Sequence, residues 1–284
     1  LVVTHILWLA SFPKSGNTWL RAFLANYLSD GEAPVAINAL PGFAAGDMRA
    51  EPYAAIAGRP ATALSWAEIN RLRPQVHRRI AGDRPGVVFV KTHSVLGAID
   101  DIPTITPDVT FGALYVIRNP LDVAVSFADH YRLTPAEGVK ALCFKGLEIE
   151  PKDGHIRQVV ADWTSHVESW ETARGLYRLT IRYEDMLARP ADTFGRVLAF
   201  LRIRNDAGRL ARAIGRSSFE SLAAQEAAGG FVERPKHAAR FFRQGIAGGW
   251  RDVLAPADAD ALIACHRDAM RRHGYLDDAG RVLP

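Results

Sequence analysis

Ile6-Leu7-Trp8-Leu9-Ala10-Ser11-Phe12-Pro13-Lys14-Ser15-Gly16-Asn17-Thr18-Trp19 reads as a buried strand running into a polar turn. Residues 6–12 are apolar with little alternation, as expected of a parallel strand covered on both faces. Beyond the turn, Leu20, Phe23, Leu24, Tyr27 and Leu28 fall on one helical stripe. Between a strand and an amphipathic helix, backbone N–H groups and the helix N-terminus make an anion site. Gly16 allows close backbone approach; Ser15, Asn17 and Thr18 offer short hydrogen-bonding side chains; Lys14 adds a mobile charge. The same residues also suit an ordinary turn capped by Ser or Thr. The turn is not a Walker A loop, in which the lysine follows the second glycine; here Lys14 precedes Gly16.

Working outward, residues 87–91 (VVFVK), 112–117 (GALYVI) and 177–183 (YRLTIRY) read as further strands. Helical stripes lie between them. Ile156, Val159, Val160, Trp163, Val167 and Trp170 predict one helix, and residues 65–79 another. Asn119-Pro120 reads as N-cap and first helical residue of a helix towards Tyr131. Ala255-Pro256 opens a last helix through Arg272, stopped by Gly274. Strands alternating with helices predict a single α/β domain: a central, mostly parallel sheet flanked by helices, P-loop-like, with ligands at the carboxyl ends of the strands. Three excursions, 34–85, 133–155 and 225–249, are expected to build a substrate pocket.

Composition bounds the function. The 284 residues are 48 % hydrophobic and 23 % charged, ordinary for a globular chain and long enough to bury a full core. A net charge of +4 without a basic run argues against a nucleic-acid partner; only six of the 35 basic residues are Lys. No apolar stretch approaches a membrane span, and residues 6–12 lack the form of a secretory signal. Cys143 and Cys265 show no metal or redox spacing, and the nine His form no paired ligand spacing, so no metal is expected. A reducing cytoplasm is the default compartment.

Two further segments carry chemistry. Arg118 follows the strand 112–117 and precedes a helix N-terminus, so both favour an anion there. Lys91-Thr92-His93 ends the strand 87–91, where a neutral imidazole could take a proton from a hydroxyl. An isolated Arg or His in such a place also suits a purely structural role.

With these residues on the page, the chain resembles the sulfotransferases that use 3′-phosphoadenosine 5′-phosphosulfate (PAPS). PKSGNTW is similar to that family's 5′-phosphosulfate loop, with Asn17 where Thr is usual. The resemblance implies that Lys14, Ser15, Gly16, Asn17 and Thr18 hold the 5′-phosphosulfate and that Trp19 packs on the adenine. It implies that Arg118 and Ser126, eight residues on, bind the 3′-phosphate. It implies His93 as catalytic base, with Lys91 near the sulfonate and Lys14 at the leaving oxygen. Tyr183-Glu184-Asp185 and Ser217-Ser218-Phe219 resemble adenine segments, giving Tyr183, Ser217 and Phe219. Arg243-Gln244-Gly245 through Trp250 resembles a C-terminal loop that closes on the 3′-phosphate, with Gln244 replacing the usual Lys.

The function so implied is metal-free sulfonate transfer from PAPS to a small-molecule hydroxyl (a phenol, sugar or natural product), releasing 3′-phosphoadenosine 5′-phosphate (PAP). The Ala- and Arg-rich style resembles bacterial members, some of which act on glycopeptides. No match to the C-terminal dimer motif of the animal enzymes is present. The competing readings are a P-loop nucleotide kinase and a non-catalytic module that binds nucleotides or sulfated glycans.

Overall fold

The computed structural model describes residues 5–29, 31–82, 86–152 and 154–283. The chain opens with β1 (His5–Ser11) and α1 (Asn17–Leu28), then passes through α2 (Leu40–Phe43), β2 (Ala45–Gly46), α3 (Ala50–Ala57) and α4 (Trp66–Gly82). Next come β3 (Val87–Thr92), the small hairpin β4 (Ala98–Ile99) and β5 (Ile102–Pro103), then β6 (Thr110–Ile117), α5 (Pro120–Tyr131) and α6 (Pro135–Cys143). A second small hairpin, β7 (Glu148–Ile149) and β8 (Gln158–Val159), precedes α7 (Trp163–Glu171) and β9 (Arg178–Arg182). Then α8 (Tyr183–Ala188), α9 (Pro190–Phe200), α10 (Ala207–Arg216), α11 (Phe219–Gly229) and α12 (Pro256–Arg272) complete the order.

The main sheet has the order β2-β3-β1-β6-β9, and every pairing in it is parallel. In β1, Ile6, Trp8 and Ala10 enter the core on one face, with Tyr115, Trp163 and Leu262. Leu7 and Leu9 enter the core on the other, with Phe23, Val116 and Phe194. Both faces are therefore covered, which is why the strand shows no polar alternation. Register pairs Ala10 with Thr92, Ser11 with Val116 and Ile117 with Arg182, so four strands end at one edge. The chain runs from β1 outward through β2 and β3, then returns to β6 and β9 on the other side. The exit of β1 is thus the switch point of the sheet, where a crevice opens.

Local signals account for the elements around that edge. The Asn119 side chain accepts a hydrogen bond from Leu121 N at 3.0 Å and Pro120 starts α5, as the sequence predicts. The stripe through residues 156–170 is only partly helical. Residues 158–159 are extended, Ala161 has a φ of 63°, and the helix starts at Trp163, where Asp162 accepts from Ser165 N at 3.0 Å. A left-handed residue followed by a strong N-cap ends any upstream helix, although the apolar spacing continues. The excursion 34–85 holds α2, β2, α3 and α4; its last three residues lie outside the described ones. Within 225–249, α11 extends to Gly229 before the chain becomes irregular. Cys143 and Cys265, unrelated by spacing, meet between α6 and α12, where burial and the neighbouring Cys265 push the Cys143 thiol up to about 12. No helix among the described residues is long and apolar enough to cross a membrane.

Candidate active site

The turn after β1 holds two left-handed residues, Lys14 with φ 68° and Gly16 with φ 103°. Gly16 is the N-cap of α1, and a Cβ there would lie 2.6 Å from the ring of Tyr183. Glycine is therefore required both by conformation and by the close approach. In the first turn of α1, Trp19 N donates to Gly16 O at 3.0 Å, while Asn17 N and Thr18 N have no acceptor among the described residues. Ser15 Oγ is buried with no partner. Asn17 is turned inward: its amide donates to Leu9 O at 2.8 Å, tying the helix start to the strand. Trp19 packs edge-on against Tyr183, ring centroids 5.6 Å apart, and its indole N–H is buried without an acceptor.

Across the switch point, Arg118 leaves β6 with its guanidinium 4.2 Å from the ring centroid of Tyr183. It donates to Lys14 O at 3.2 Å and to Ile246 O at 3.1 Å, and its Nε is buried and unpartnered. Glu184 supports this corner by accepting from Asn119 N at 2.9 Å and from the Tyr275 hydroxyl at 3.2 Å. Asp122, a turn into α5, accepts from Gly248 N at 2.8 Å and Trp250 N at 3.1 Å. That buried carboxylate fixes the C-terminal loop over the helix N-terminus. Gly245, with φ 65°, lies so close to Phe219 that a Cβ would fall 2.3 Å from the ring. Arg243 is half-buried and has no ion-pair partner among the described residues. Ser217 is buried and donates to Ala213 O at 2.8 Å.

The proton chemistry gathers between these corners. His93 Nδ1 lies 2.8 Å from Ser11 O, an atom that only accepts, so Nδ1 carries the proton and Nε2 keeps its lone pair. Burial, then the Lys91 charge, holds His93 neutral well below the usual histidine range. Lys14 is brought down to about 7 by burial and by Lys91 and Arg118. Its ammonium lies 3.3 Å from His130 Nδ1 and 4.1 Å from the ring centroid of Phe241. Burial lowers Lys91 as well, and Glu233 opposes that at 3.6 Å.

Apart from Ser15, every site residue singled out from the sequence lines one cavity of about 1680 Å³: Lys14, Gly16, Asn17, Thr18, Trp19, Lys91, His93, Arg118, Ser126, Tyr183, Ser217, Phe219, Arg243, Gln244 and Gly245. That volume exceeds the roughly 300–1,000 Å³ of a pocket for a single small molecule. The space divides at β1. The Arg118 and Tyr183 corner lies on the β9 side, while Asp47 and Arg49, following β2, lie on the other. Sequence reasoning missed three residues here: Arg21, Glu233 and His130 carry no motif of their own, and only the fold brings them to the lysines. Asp122, which lies past the strand and so makes a poor metal carboxylate in sequence, holds the C-terminal loop instead. No cluster among the described residues could hold a metal ion.

Comparison with known proteins shows the family and the fold. A family model described as a sulfotransferase domain matches residues 5–274. The chain is 23 % identical over 285 residues to Sulfotransferase 1A1 of Canis lupus familiaris, covering 94 % of this chain and 84 % of that protein. Its identity to Cytosolic sulfotransferase 13 of Arabidopsis thaliana is 26 % over 273 residues, covering 89 % and 73 %. Among solved structures, mouse sulfotransferase SULT7A1 complexed with PAP superposes with a TM-score of 0.62 at 21 % identity, covering 98 % of this chain and 86 % of that one. Retinol dehydratase in complex with retinol and PAP gives 0.60 at 19 % identity, covering 95 % and 82 %. These structural likenesses show a shared fold.

Proposed function

The chain belongs to the sulfotransferase domain family and is an enzyme of that family, and from that premise we propose that it moves a sulfonate from PAPS to the hydroxyl of a small-molecule acceptor with His93 as the base. The residues present fit the nucleotide. The Trp19 indole N–H and Arg118 Nε, on residues that line the cavity, are buried without partners, and Arg243 is unpaired among the described residues. Buried polar groups need partners, and an anionic adenine nucleotide supplies them. The loop from Lys14 to Thr18 would hold the 5′ end, and Arg118, Ser126 and Arg243 the 3′-phosphate.

When bound, PAPS supplies an activated sulfonate on a phosphate leaving group. The chain's own groups do the rest. His93 Nε2 would take the proton of the acceptor's hydroxyl. Lys14 would hold the oxygen of the leaving phosphate, and Lys91 with the Asn17 and Thr18 amides would hold the sulfonate oxygens, stabilising the charge that builds there. The observation that carries this reading is the contact of His93 Nδ1 with Ser11 O, which only accepts and so leaves Nε2 of the neutral ring unprotonated, on a residue lining the cavity that also holds both lysines. A kinase reading would want Asp122 for a metal, but both its oxygens accept from the C-terminal loop.

The test is transfer from PAPS to a panel of phenols, sugars and hydroxylated natural products, read as PAP release and sulfonated product. We expect His93→Ala to abolish transfer and leave PAP binding nearly intact. Near-normal turnover by that variant would remove the proposed base.

A further inference from the structure

Arg21 is a fully buried guanidinium on α1, one turn after the phosphate loop. Its charge cannot be shed, so it needs a partner within the fold. That partner is Glu233, from the irregular chain that follows α11. Arg21 Nη1 donates to Glu233 Oε1 at 2.8 Å and Nη2 to Oε2 at 2.6 Å. The same Nη2 donates to Thr18 Oγ1 at 3.1 Å, in the loop itself. Glu233 Oε2 also lies 3.6 Å from Lys91 Nζ, at the end of His93's strand. One carboxylate therefore joins three parts: the phosphate-loop helix, the strand end with the catalytic pair, and the segment that carries Phe241 and Arg243.

We propose that Glu233 is a positioning residue, which fixes Lys91 beside His93 and ties the segment closing over the nucleotide to the phosphate loop through Arg21 and Thr18. This rests on the sulfotransferase reading above, because it acts through Lys91. Lys91 is crowded by like charges, with Arg21 beside it and Lys14 across the cavity. His93 is neutral; the carboxylates that oppose these charges are Glu233, then Asp47, at Lys91, and Asp129, then Glu233, at Lys14. Asp47 is itself raised to about 7 by burial, against the opposing effect of its bond from Thr92, so its countercharge is partial. Glu233 stays ionised, because Lys91 and Arg21 overcome the burial that would protonate it. Glu233 is thus the largest influence favouring the charged form of Lys91, against the burial that lowers it.

A merely structural tether predicts the opposite outcome to a charge partner. Were Glu233 only a clamp, Glu233→Gln would loosen the segment, let water reach Lys91 and make the amine harder to deprotonate. As a charge partner, its loss makes deprotonation easier. Competitive labelling of lysines with acetic anhydride across pH, read by mass spectrometry, reports this on the unliganded protein without any acceptor. In the unsubstituted protein the Lys91 midpoint should lie above that of Lys14, on which Asp129 and Glu233 act less than burial and the neighbouring cations do. In Glu233→Gln the Lys91 midpoint should fall by about one pH unit or more, roughly a tenfold gain in reactivity at fixed pH. Glu233→Asp should restore most of it. A Lys91 midpoint at or below that of Lys14, or one unchanged or raised in Glu233→Gln, would overturn the proposal. Failure of the unsubstituted protein to bind PAP would instead strike the sulfotransferase reading, and the two results are separately read.

Discussion

Lys14 shows how one side chain can report on the state of the whole site. Its ammonium, half-buried beside Lys91 and Arg118, has a pKa near 7 where an ordinary lysine has 10.5. A nearby phosphate or sulfonate favours the charged form and raises that value. Above pH 7, then, binding PAP takes up a proton, and affinity should fall by up to about tenfold per pH unit. Calorimetry in two buffers of different ionisation enthalpy measures the uptake directly, and Lys14→Met should flatten the slope. The same shift acts on the unliganded fold with a definite sign. Between about 7 and 10.5 the unfolded chain holds a proton on this lysine that the native protein lacks, so its contribution to stability rises with pH across that window. Asn17 illustrates the limit of reading residues singly. Its sequence position suggests a ligand donor, yet its amide donates to Leu9 O inside the fold. Asn17→Ala should therefore cost about 1–3 kcal/mol of stability in denaturant melts, from an unpaired buried carbonyl. Arg118→Ala should weaken PAP by at least about tenfold, because a charge-assisted contact is worth about 1.5–3 kcal/mol. An unchanged dissociation constant would remove the 3′-phosphate assignment.

At the scale of elements, α5 does more than present Ser126. Asp122 in its first turn captures Gly248 N and Trp250 N, and so sets the height of the C-terminal loop. Asp122→Ala should leave the sheet folded but free residues 243–250. Limited proteolysis should cut there first, and PAP should slow the cut less than in the unsubstituted protein. Equal protection in both would show that other contacts hold the loop. The strand ends, the capped start of α5 and the last helix were legible in the sequence because local rules govern them. Asn-Pro caps a helix wherever it occurs, and an apolar run between polar turns makes a strand. The start of α7 was not legible, because apolar spacing continues through a segment that Ala161 and Asp162 turn out of the helix. Nor was the link from Glu233 to Arg21, which spans 212 positions and exists only through the fold.

On the scale of the molecule, the order β2-β3-β1-β6-β9 places the exit of β1 where the chain reverses across the sheet. Arg118 and Tyr183 gather on the β6 and β9 side. His93, Asp47 and the excursion between β1 and β3 gather on the other. The residues proposed to hold the nucleotide come from ordered motifs at successive strand ends. The lining on the other side has no such signature, because its segments pack by tertiary contact and share no spacing rule. The central claim is that the two anion cradles, at the start of α1 and beside Arg118, grip opposite ends of one doubly phosphorylated adenosine. A crystal structure of the protein soaked with PAP tests that most directly. The account predicts the 5′-phosphate on the amides between Ser15 and Thr18 and the 3′-phosphate between Arg118 and Arg243. A nucleotide bound with its ends exchanged, or outside the cavity at the exit of β1, would contradict it.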